Sequence, residues 1–186
     1  MVNNGEVSSP ETPTVGKRGE RRPRDMAMSL AILLVPIALL LIFYRVVLDG
    51  DKPISVDPEP ALRQARSAAA FPVSAPQGLG EDWHVQSATF KREATGATLR
   101  LGYVDPADDP VQLIESSVPT ATLIPAELGQ KPEAVGSVFR AGARDWQRYS
   151  GRAGENALVL LEQGRTIIVV GPAESEHLET LASALP

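Results

Sequence analysis

The longest apolar stretch of the chain covers residues 26–48, and no charged residue occurs between Asp25 and Arg45. A helix needs about 20 apolar residues to cross a hydrocarbon core of about 30 Å. The aromatic pair Phe43 and Tyr44 is typical of the membrane interface. Because the stretch is apolar on every side of a helix, it predicts a membrane-spanning helix rather than an amphipathic core helix.

The two flanks of this predicted helix differ in charge. The near side is basic and the far side opens with Asp49 and Asp51. Because Lys and Arg are enriched on cytoplasmic flanks, we expect a single-pass signal anchor in the plasma membrane, with a cytoplasmic N-terminus and an extracytoplasmic C-terminal domain. Cleavage as a signal peptide is the alternative, although such peptides have only about 7 to 15 apolar residues and an A-x-A-like site. The basic flank comprises Lys17, Arg18, Arg21, Arg22 and Arg24.

The segments around the span are poor in apolar residues. Residues 1–25 are rich in Pro, Gly, Ser and charge, which predicts a disordered basic cytoplasmic tail that sets topology or, alternatively, binds anionic lipids. Residues 49–60 predict a linker, and the Ala-rich residues 61–70 predict a short helix. Residues 71–80 contain two Pro and two Gly, which predicts a rigid connector.

From Trp83 onward the hydrophobic period changes to two, which indicates β-strands. Residues 98–104 show this most clearly, because apolar side chains there alternate with Thr98, Arg100 and Gly102. The predicted strands are residues 83–91, 98–104, 111–116, 135–140, 144–150, 157–162 and 165–170.

Two of these strands, residues 157–162 and 165–170, are apolar without alternation. This pattern predicts neighbouring central strands, joined as a hairpin, in a sheet that is covered on both faces. Residues 117–134 carry no clear period and are predicted to be mostly loop, with no more than one helical turn at residues 124–128.

The C-terminal segment predicts an amphipathic helix, since Leu178, Leu181, Ala182 and Leu185 fall at positions i, i+3, i+4 and i+7. The complete pattern predicts an α+β fold. In it, an N-terminal transmembrane helix precedes a mainly antiparallel sheet of about six or seven strands, flanked by an N-terminal and a C-terminal helix. Residues 61–186 suit one extracytoplasmic domain.

Charge and cysteine content narrow the functional classes. Residues 49–186 carry 12 Lys and Arg against 19 Asp and Glu, a net charge of −7. An acidic domain repels phosphate backbones and anionic head groups, which argues against nucleic acid as a partner and against a domain that lies flat on the bilayer. The chain has no cysteine, so lipoprotein anchoring, disulfides and thiolate chemistry are excluded.

Motifs with a known catalytic or metal-binding mechanism are absent from the sequence, so it predicts no catalytic residue, no cofactor and no metal site. His84 and His177 are predicted to be solvated rather than zinc ligands. Asp105, Asp108 and Asp109 are predicted to form turns. A calcium site is the alternative for these three carboxylates, because hard cations bind clustered oxygens.

One group of residues suggests a ligand surface. Arg144, Trp146 and Arg148 alternate along a predicted strand and therefore share one face. Arginines that stack on an indole leave N–H groups free for an anion, so these three residues form a speculative ligand surface. Cation-π packing without any ligand is the favoured interpretation, because no partner group defines a substrate, and Trp83 and Trp146 are predicted to be core or near-core aromatics.

Several short motifs, taken together, resemble one family. They are R-P-R-D-M-A at 22–27, F-P-V at 71–73, P-Q-G-L at 76–79 with Trp83, L-G-Y-V at 101–104, Trp146 with Tyr149, and G-P-A-E-S-E-H-L-E-T-L-A at 171–182. The chain resembles the actinobacterial membrane-anchored family known as domain of unknown function 4245. The resemblance implies a single-pass envelope protein without an assigned activity, so no site residue is carried over. At the level of fold, the strands and closing helix also resemble the sandwich of photosystem PsbP and of the nuclear import protein Mog-one.

The sequence therefore favours a non-enzymatic, membrane-anchored module that binds an envelope protein, a lipid or a glycan. One alternative is a one-pass signalling protein whose basic tail reports an outside event. The other is an unrecognised envelope hydrolase or transferase, which requires Asp105 or Glu115 to converge with His84 in a cleft.

Overall fold

The computed structural model describes residues 23–47, 55–129, 131–152 and 154–186. These belong to two compact units, Met1–Lys52 and Pro53–Pro186. The predicted tail up to residue 22 and the first part of the predicted linker lie outside the described residues.

In the first unit, helix α1 spans Pro23–Val47 and contains Pro36. Within it, Met26–Tyr44 is long and apolar enough to cross a membrane, by length and composition, and no other helix of the described residues meets this criterion. The helix begins three residues before the predicted span, so the last residues assigned to the tail form its first turn.

In its described part, the second unit contains three helices and seven strands. In chain order they are α2 (Glu59–Ala68), β1 (His84–Glu93), β2 (Gly96–Val104), β3 (Pro110–Ser116), α3 (Thr120–Leu128), β4 (Ala134–Ala141), β5 (Arg144–Ser150), β6 (Asn156–Glu162), β7 (Arg165–Gly171) and α4 (Ser175–Ser183).

The seven strands form one antiparallel sheet in the order β1-β2-β3-β7-β6-β5-β4. Each predicted strand is confirmed, and so is the α+β class. Strand β7 lies at the centre and is buried along its whole length, as its unbroken apolar run predicted. The β6–β7 hairpin turns through Gly164, whose φ of +78° favours a residue without a Cβ.

The two faces of the sheet are covered differently. On one side, which we call the α4 face, α2, α4 and Phe71 enclose a single large core with alternate residues of β2, β3, β6 and β7. Its strand residues include Leu99, Leu101, Leu113, Leu158, Ile167 and Val169. On the other side, the α3 face, a smaller core forms where α3 packs on Ile114, Val159 and Ile168.

Helix α3 corrects the prediction of a loop in this region. It contains Pro125, which removes one backbone donor and disfavours a helix interior. The helix forms because Leu123, Ile124 and Leu128 are buried against the sheet, and tertiary packing overrides the local preference.

Helix α2 is also displaced from its prediction, by two residues towards the N-terminus. Its start is favoured by Pro60 in the first turn, and the Asp57 carboxylate accepts the backbone N–H of Glu59 at 3.0 Å. It ends at Ala69, which adopts a left-handed conformation with φ of +47° before the predicted connector begins.

Candidate functional site

The three residues of the predicted ligand surface share one face of β5, as the alternation predicted. That face is the α4 face, and Trp146 there has no exposed surface. The Arg148 guanidinium lies 5.7 Å from the ring centre of Phe139, so the cation-π contact is with the neighbouring strand rather than with the indole. Trp146 therefore belongs to the core and has no surface to offer a ligand.

The two arginines beside Trp146 are held by partners. Arg148 forms an ion pair with Glu179 of α4. Arg144 lies 3.9 Å from the Glu162 carboxylate and donates to the backbone oxygen of Leu185 at 3.4 Å. The contacts with Glu179 and Leu185 tie the C-terminal segment to β5, and ligand binding by the group stays a prediction.

The Asp105 cluster is a turn, as predicted. Its buried carboxylate accepts the backbone N–H groups of Ala107 at 2.9 Å and Asp109 at 2.8 Å through Oδ1. Its second oxygen lies 2.5 Å from Nδ1 of His177. The prediction that His177 is merely solvated is therefore wrong, since its ring bridges α4 to this turn and also packs edge-on against Trp83.

Glu115 lies at the opposite end of the sheet and is fully buried on the α4 face. Its carboxylate accepts the backbone N–H of Ser74 at 3.1 Å and a guanidinium N–H of Arg165 at 2.9 Å. Burial raises the pKa of Glu115 to about 7, although both of these contacts act in the opposite direction. The same arginine bonds Glu162 at 2.6 Å and the backbone oxygen of Pro72, so the network clamps the connector to the sheet.

The convergence of Glu115 with His84 that a hydrolase of the predicted kind could use is not formed, and within the described residues Asp105 is hydrogen-bonded to His177 rather than to His84. His84 pairs with Val104, beside the Asp105 turn, whereas Glu115 pairs with Leu99, five residues along β2. At about 3.3 Å per residue, the two ends lie well beyond the reach of shared proton transfer. Within the described residues, no group of three or more metal-ligating side chains is found.

A polar pocket of ≈ 230 Å³ lies on the α3 face, where the short helix leaves the sheet uncovered. It is built by β1, β2, β3, α3, the loop after β5 and the end of β7. Side chains that carry hydrogen-bonding groups into its lining are Gln86, Ser87, Gln112, Glu127, Arg152 and Glu155.

Two glycines line the floor of this pocket, and neither position has room for a side chain. A Cβ on Gly102 would lie 2.5 Å from the Ser87 hydroxyl, and a Cβ on Gly171 would collide with the backbone oxygen of Pro110. Gln86, where the β1–β2 pairing skips a residue, lies at the rim. Such bulges are common beside binding sites, because they redirect a side chain out of the regular alternation.

The charged walls of the pocket are pre-arranged. Glu127 accepts two parallel bonds from Arg100, at 2.7 and 2.9 Å. Arg152 donates to the backbone oxygen of Ala126 at 3.1 Å, and its own backbone N–H donates to Glu155 at 3.2 Å. With fixed donors and acceptors on its rim and floor, the pocket can hold a small polar molecule by hydrogen bonds.

Sequence reasoning did not identify this pocket, because it is assembled from six segments far apart in the chain. One signal was present. The alternation in β2 placed Thr98, Arg100 and Gly102 on one face, and a strand face with a charge and a glycine amid apolar neighbours indicates incomplete coverage.

Comparison with known proteins leaves the activity open. No curated protein matches the chain. The family model described as "Protein of unknown function (DUF4245)" matches residues 18–185, which is nearly the whole chain. This match confirms the family resemblance of the sequence motifs, and the chain belongs to the DUF4245 family.

Proposed function

We propose that the protein is a single-pass, membrane-anchored binding module of the cell envelope, with its α+β domain outside the cytoplasm. The apolar helix Met26–Tyr44 supports the anchor. The contrast between the basic flank before it and Asp49 and Asp51 after it supports the orientation.

The observation that carries binding as the function is the polar pocket of the α3 face. At ≈ 230 Å³ it is smaller than the roughly 300–1,000 Å³ typical of drug-sized ligand sites, so it suits a ligand of about one sugar ring. Neutral donors and acceptors from Gln112 and Ser87 lie beside a fixed guanidinium and carboxylates. This mixture suits a neutral polyhydroxylated ligand better than a highly charged one, and we assign a glycan unit of the envelope to it.

Orientation is tested by labelling, because the cysteine-free sequence gives no background. Single-cysteine variants Ser8→Cys, in the tail, and Ala143→Cys, in the exposed β4–β5 turn, are exposed to a membrane-impermeant maleimide on intact cells. We expect labelling of the second variant alone, with the first labelled only after lysis. Labelling of Ser8→Cys on intact cells would overturn the proposed orientation.

Binding is tested by saturation-transfer NMR on the full-length protein in neutral detergent, with glucose, mannose, arabinose and N-acetylglucosamine as probes. We expect saturation transfer to at least one sugar, lost in the double variant Ser87→Ala/Gln112→Ala. The control is Thr89→Ala/Gln147→Ala, which removes comparable polar groups from strands on the same face outside the pocket. No transfer to any of the sugars, or equal loss in both variants, contradicts the glycan assignment.

A second candidate, an envelope hydrolase, draws on the Asp105–His177 pair, since a buried carboxylate that orients an imidazole is a recurring part of hydrolytic sites. Within the described residues, the hydrogen bonds of the His177 ring include only Asp105, so a nucleophile beside it is not defined. Assays with p-nitrophenyl acetate and p-nitrophenyl phosphate test this. Turnover that His177→Gln abolishes would favour the hydrolase over the binding module.

A further inference from the structure

A second concave surface lies between α2 and the outer strand β1. It is an open groove of ≈ 630 Å³ on the α4 face of β1. Its lining consists of Pro60, Arg63, Gln64, Ser67, Ala68, Phe90 and Arg92, and none of these seven residues carries a carboxylate. In residues 49–186, whose net charge is −7, a lining with two guanidinium groups and no carboxylate departs from the general acidity.

The two arginines are placed for anion recognition. Arg92 donates one N–H to the backbone oxygen of Ala68 at 2.8 Å, which fixes its guanidinium over the end of α2 and leaves further donors free. Among the described residues, Arg63 forms no ion pair, whereas its neighbour Arg66 lies 3.6 Å from Glu59. Phosphate matches the planar fork of donors that arginine presents.

The floor of the groove is apolar. The Phe90 ring is partly buried and packs against the core of the α4 face. Pro60 and Ala68 add aliphatic surface at either end of α2. A ligand that is complementary to the groove thus carries an anionic group that binds the arginines and a short apolar segment that packs on the phenyl ring. Such a molecule is an amphiphile.

We infer that this groove binds the phosphate-bearing head group of an anionic phospholipid. The inference rests on the proposed function, since it requires the domain to be tethered to a membrane, and only residues 45–58 separate the apolar segment of α1 from α2. The general acidity of the domain opposes contact with an anionic bilayer elsewhere. The inference therefore restricts lipid contact to the α2 side of the domain, on the face of the sheet opposite the polar pocket.

The test measures binding to the full-length protein in neutral detergent by microscale thermophoresis. The probes are dihexanoyl phosphatidylglycerol, dihexanoyl phosphatidylcholine and inorganic phosphate. We expect phosphatidylglycerol to bind at least about tenfold more tightly than either of the others, because it alone offers a net negative charge together with the apolar segment. Equal affinity for inorganic phosphate would overturn the lipid assignment in favour of a simple anion site.

Matched variants locate the site. In Arg63→Gln/Arg92→Gln both groove charges are removed, and we expect phosphatidylglycerol affinity to fall at least about tenfold. The control Arg66→Gln/Lys91→Gln removes two charges from the same helix and strand outside the groove, and its affinity should stay within about twofold of the unmodified protein. Equal losses in the two variants, or no binding in the unmodified protein, would overturn the inference.

Two further measurements distinguish a wrong lipid inference from misfolding and from a wrong proposed function. Arg63→Gln alone leaves the Arg92–Ala68 bond intact, so a partial loss of affinity without a change in thermal unfolding separates binding from folding. In the variant Arg63→Gln/Arg92→Gln, we expect the maleimide labelling pattern and the saturation transfer to sugars to be unchanged. A wrong lipid inference is thus distinguishable from a wrong anchor or a wrong sugar pocket.

Discussion

The two faces of the sheet differ in how completely they are covered, and the difference separates the main stabilising core from the polar pocket. Most of the α4 face is covered by two helices and the connector, and its core includes Trp146 and Leu181, which have no exposed surface. The α3 face has one nine-residue helix, and polar side chains such as Gln112 remain accessible beside it. A sheet buried on both sides by long helices would be more stable but would have no pocket.

Removal of the largest buried side chain of the α4 face should have the largest effect. Trp146→Ala leaves a cavity beneath α4, and we expect the free energy of unfolding to fall by about 3–5 kcal/mol. Urea unfolding in detergent measures this for the α+β unit, followed by tryptophan fluorescence, which comes from Trp83 alone in the variant and from both tryptophans in the unmodified protein. A loss below about 1 kcal/mol would show that this face repacks and is not the main stabilising core.

The equivalent change on the α3 face should lower the free energy of unfolding less, but it should weaken sugar binding more. Leu128→Ala removes a buried contact of α3, and we expect a loss of about 2–4 kcal/mol. Because the neighbouring Glu127 lines the pocket, saturation transfer to a bound sugar should also weaken, whereas folded Trp146→Ala should retain it. Equal loss of sugar signal in both variants, at temperatures where both are folded, would contradict the separation of the two faces.

The sequence predicted the strands well because period-two alternation and unbroken apolar runs are local signals. It predicted the central position of β7 for the same reason. It missed α3, since the burial of Ile124 and Leu128 that stabilises this helix depends on the distant strands β6 and β7. It predicted Trp146 as a core or near-core aromatic, which its burial confirms, but the ligand-surface hypothesis also included it, because alternation identifies which residues share a face and not which helix covers it.

The candidate site was harder to predict than the fold. Gln86 and Gln112 carry no motif, and they meet only because β1 and β3 flank β2 in the sheet. The ion pair of Arg165 with Glu115 joins residues 50 positions apart. Such contacts follow from topology, and a single sequence does not encode them as a local pattern.

The buried Glu115 on the α4 face should make stability depend on pH. It faces Ser74, Arg165, Glu162 and Tyr103, whose own pKa is raised to about 12 by burial and by this carboxylate. Because the pKa of Glu115 rises from 4.5 unfolded to about 7 folded, the folded state binds the proton more tightly. Its contribution to stability is fully present below pH 4.5 and is lost as the pH rises through 7.

We therefore expect the free energy of unfolding to fall by up to about 3 kcal/mol between pH 5 and pH 8, measured by urea titration at each pH. Glu115→Gln, which keeps the shape and the acceptor for Ser74, should flatten this dependence. In Glu162→Gln the dependence should remain, with its midpoint moved to lower pH, because Glu162 raises the pKa of Glu115. A Glu115→Gln variant with an unchanged pH profile would show that other groups govern it.

The smallest expected effect concerns the ion pair that joins the pocket to the sheet. Arg100→Gln breaks two parallel bonds to Glu127, and we expect a loss of about 0.5–1 kcal/mol, since both side chains retain some solvent contact. Arg140→Gln removes a similar pair with Asp145 from the exposed edge strand β4 and should not change stability measurably. Sugar binding also distinguishes the two variants, because only Arg100→Gln leaves the Glu127 carboxylate in the pocket wall without its arginine. If both variants bound sugar like the unmodified protein, the wall would not need to be pre-arranged, and the incomplete cover of the α3 face would alone suffice for recognition.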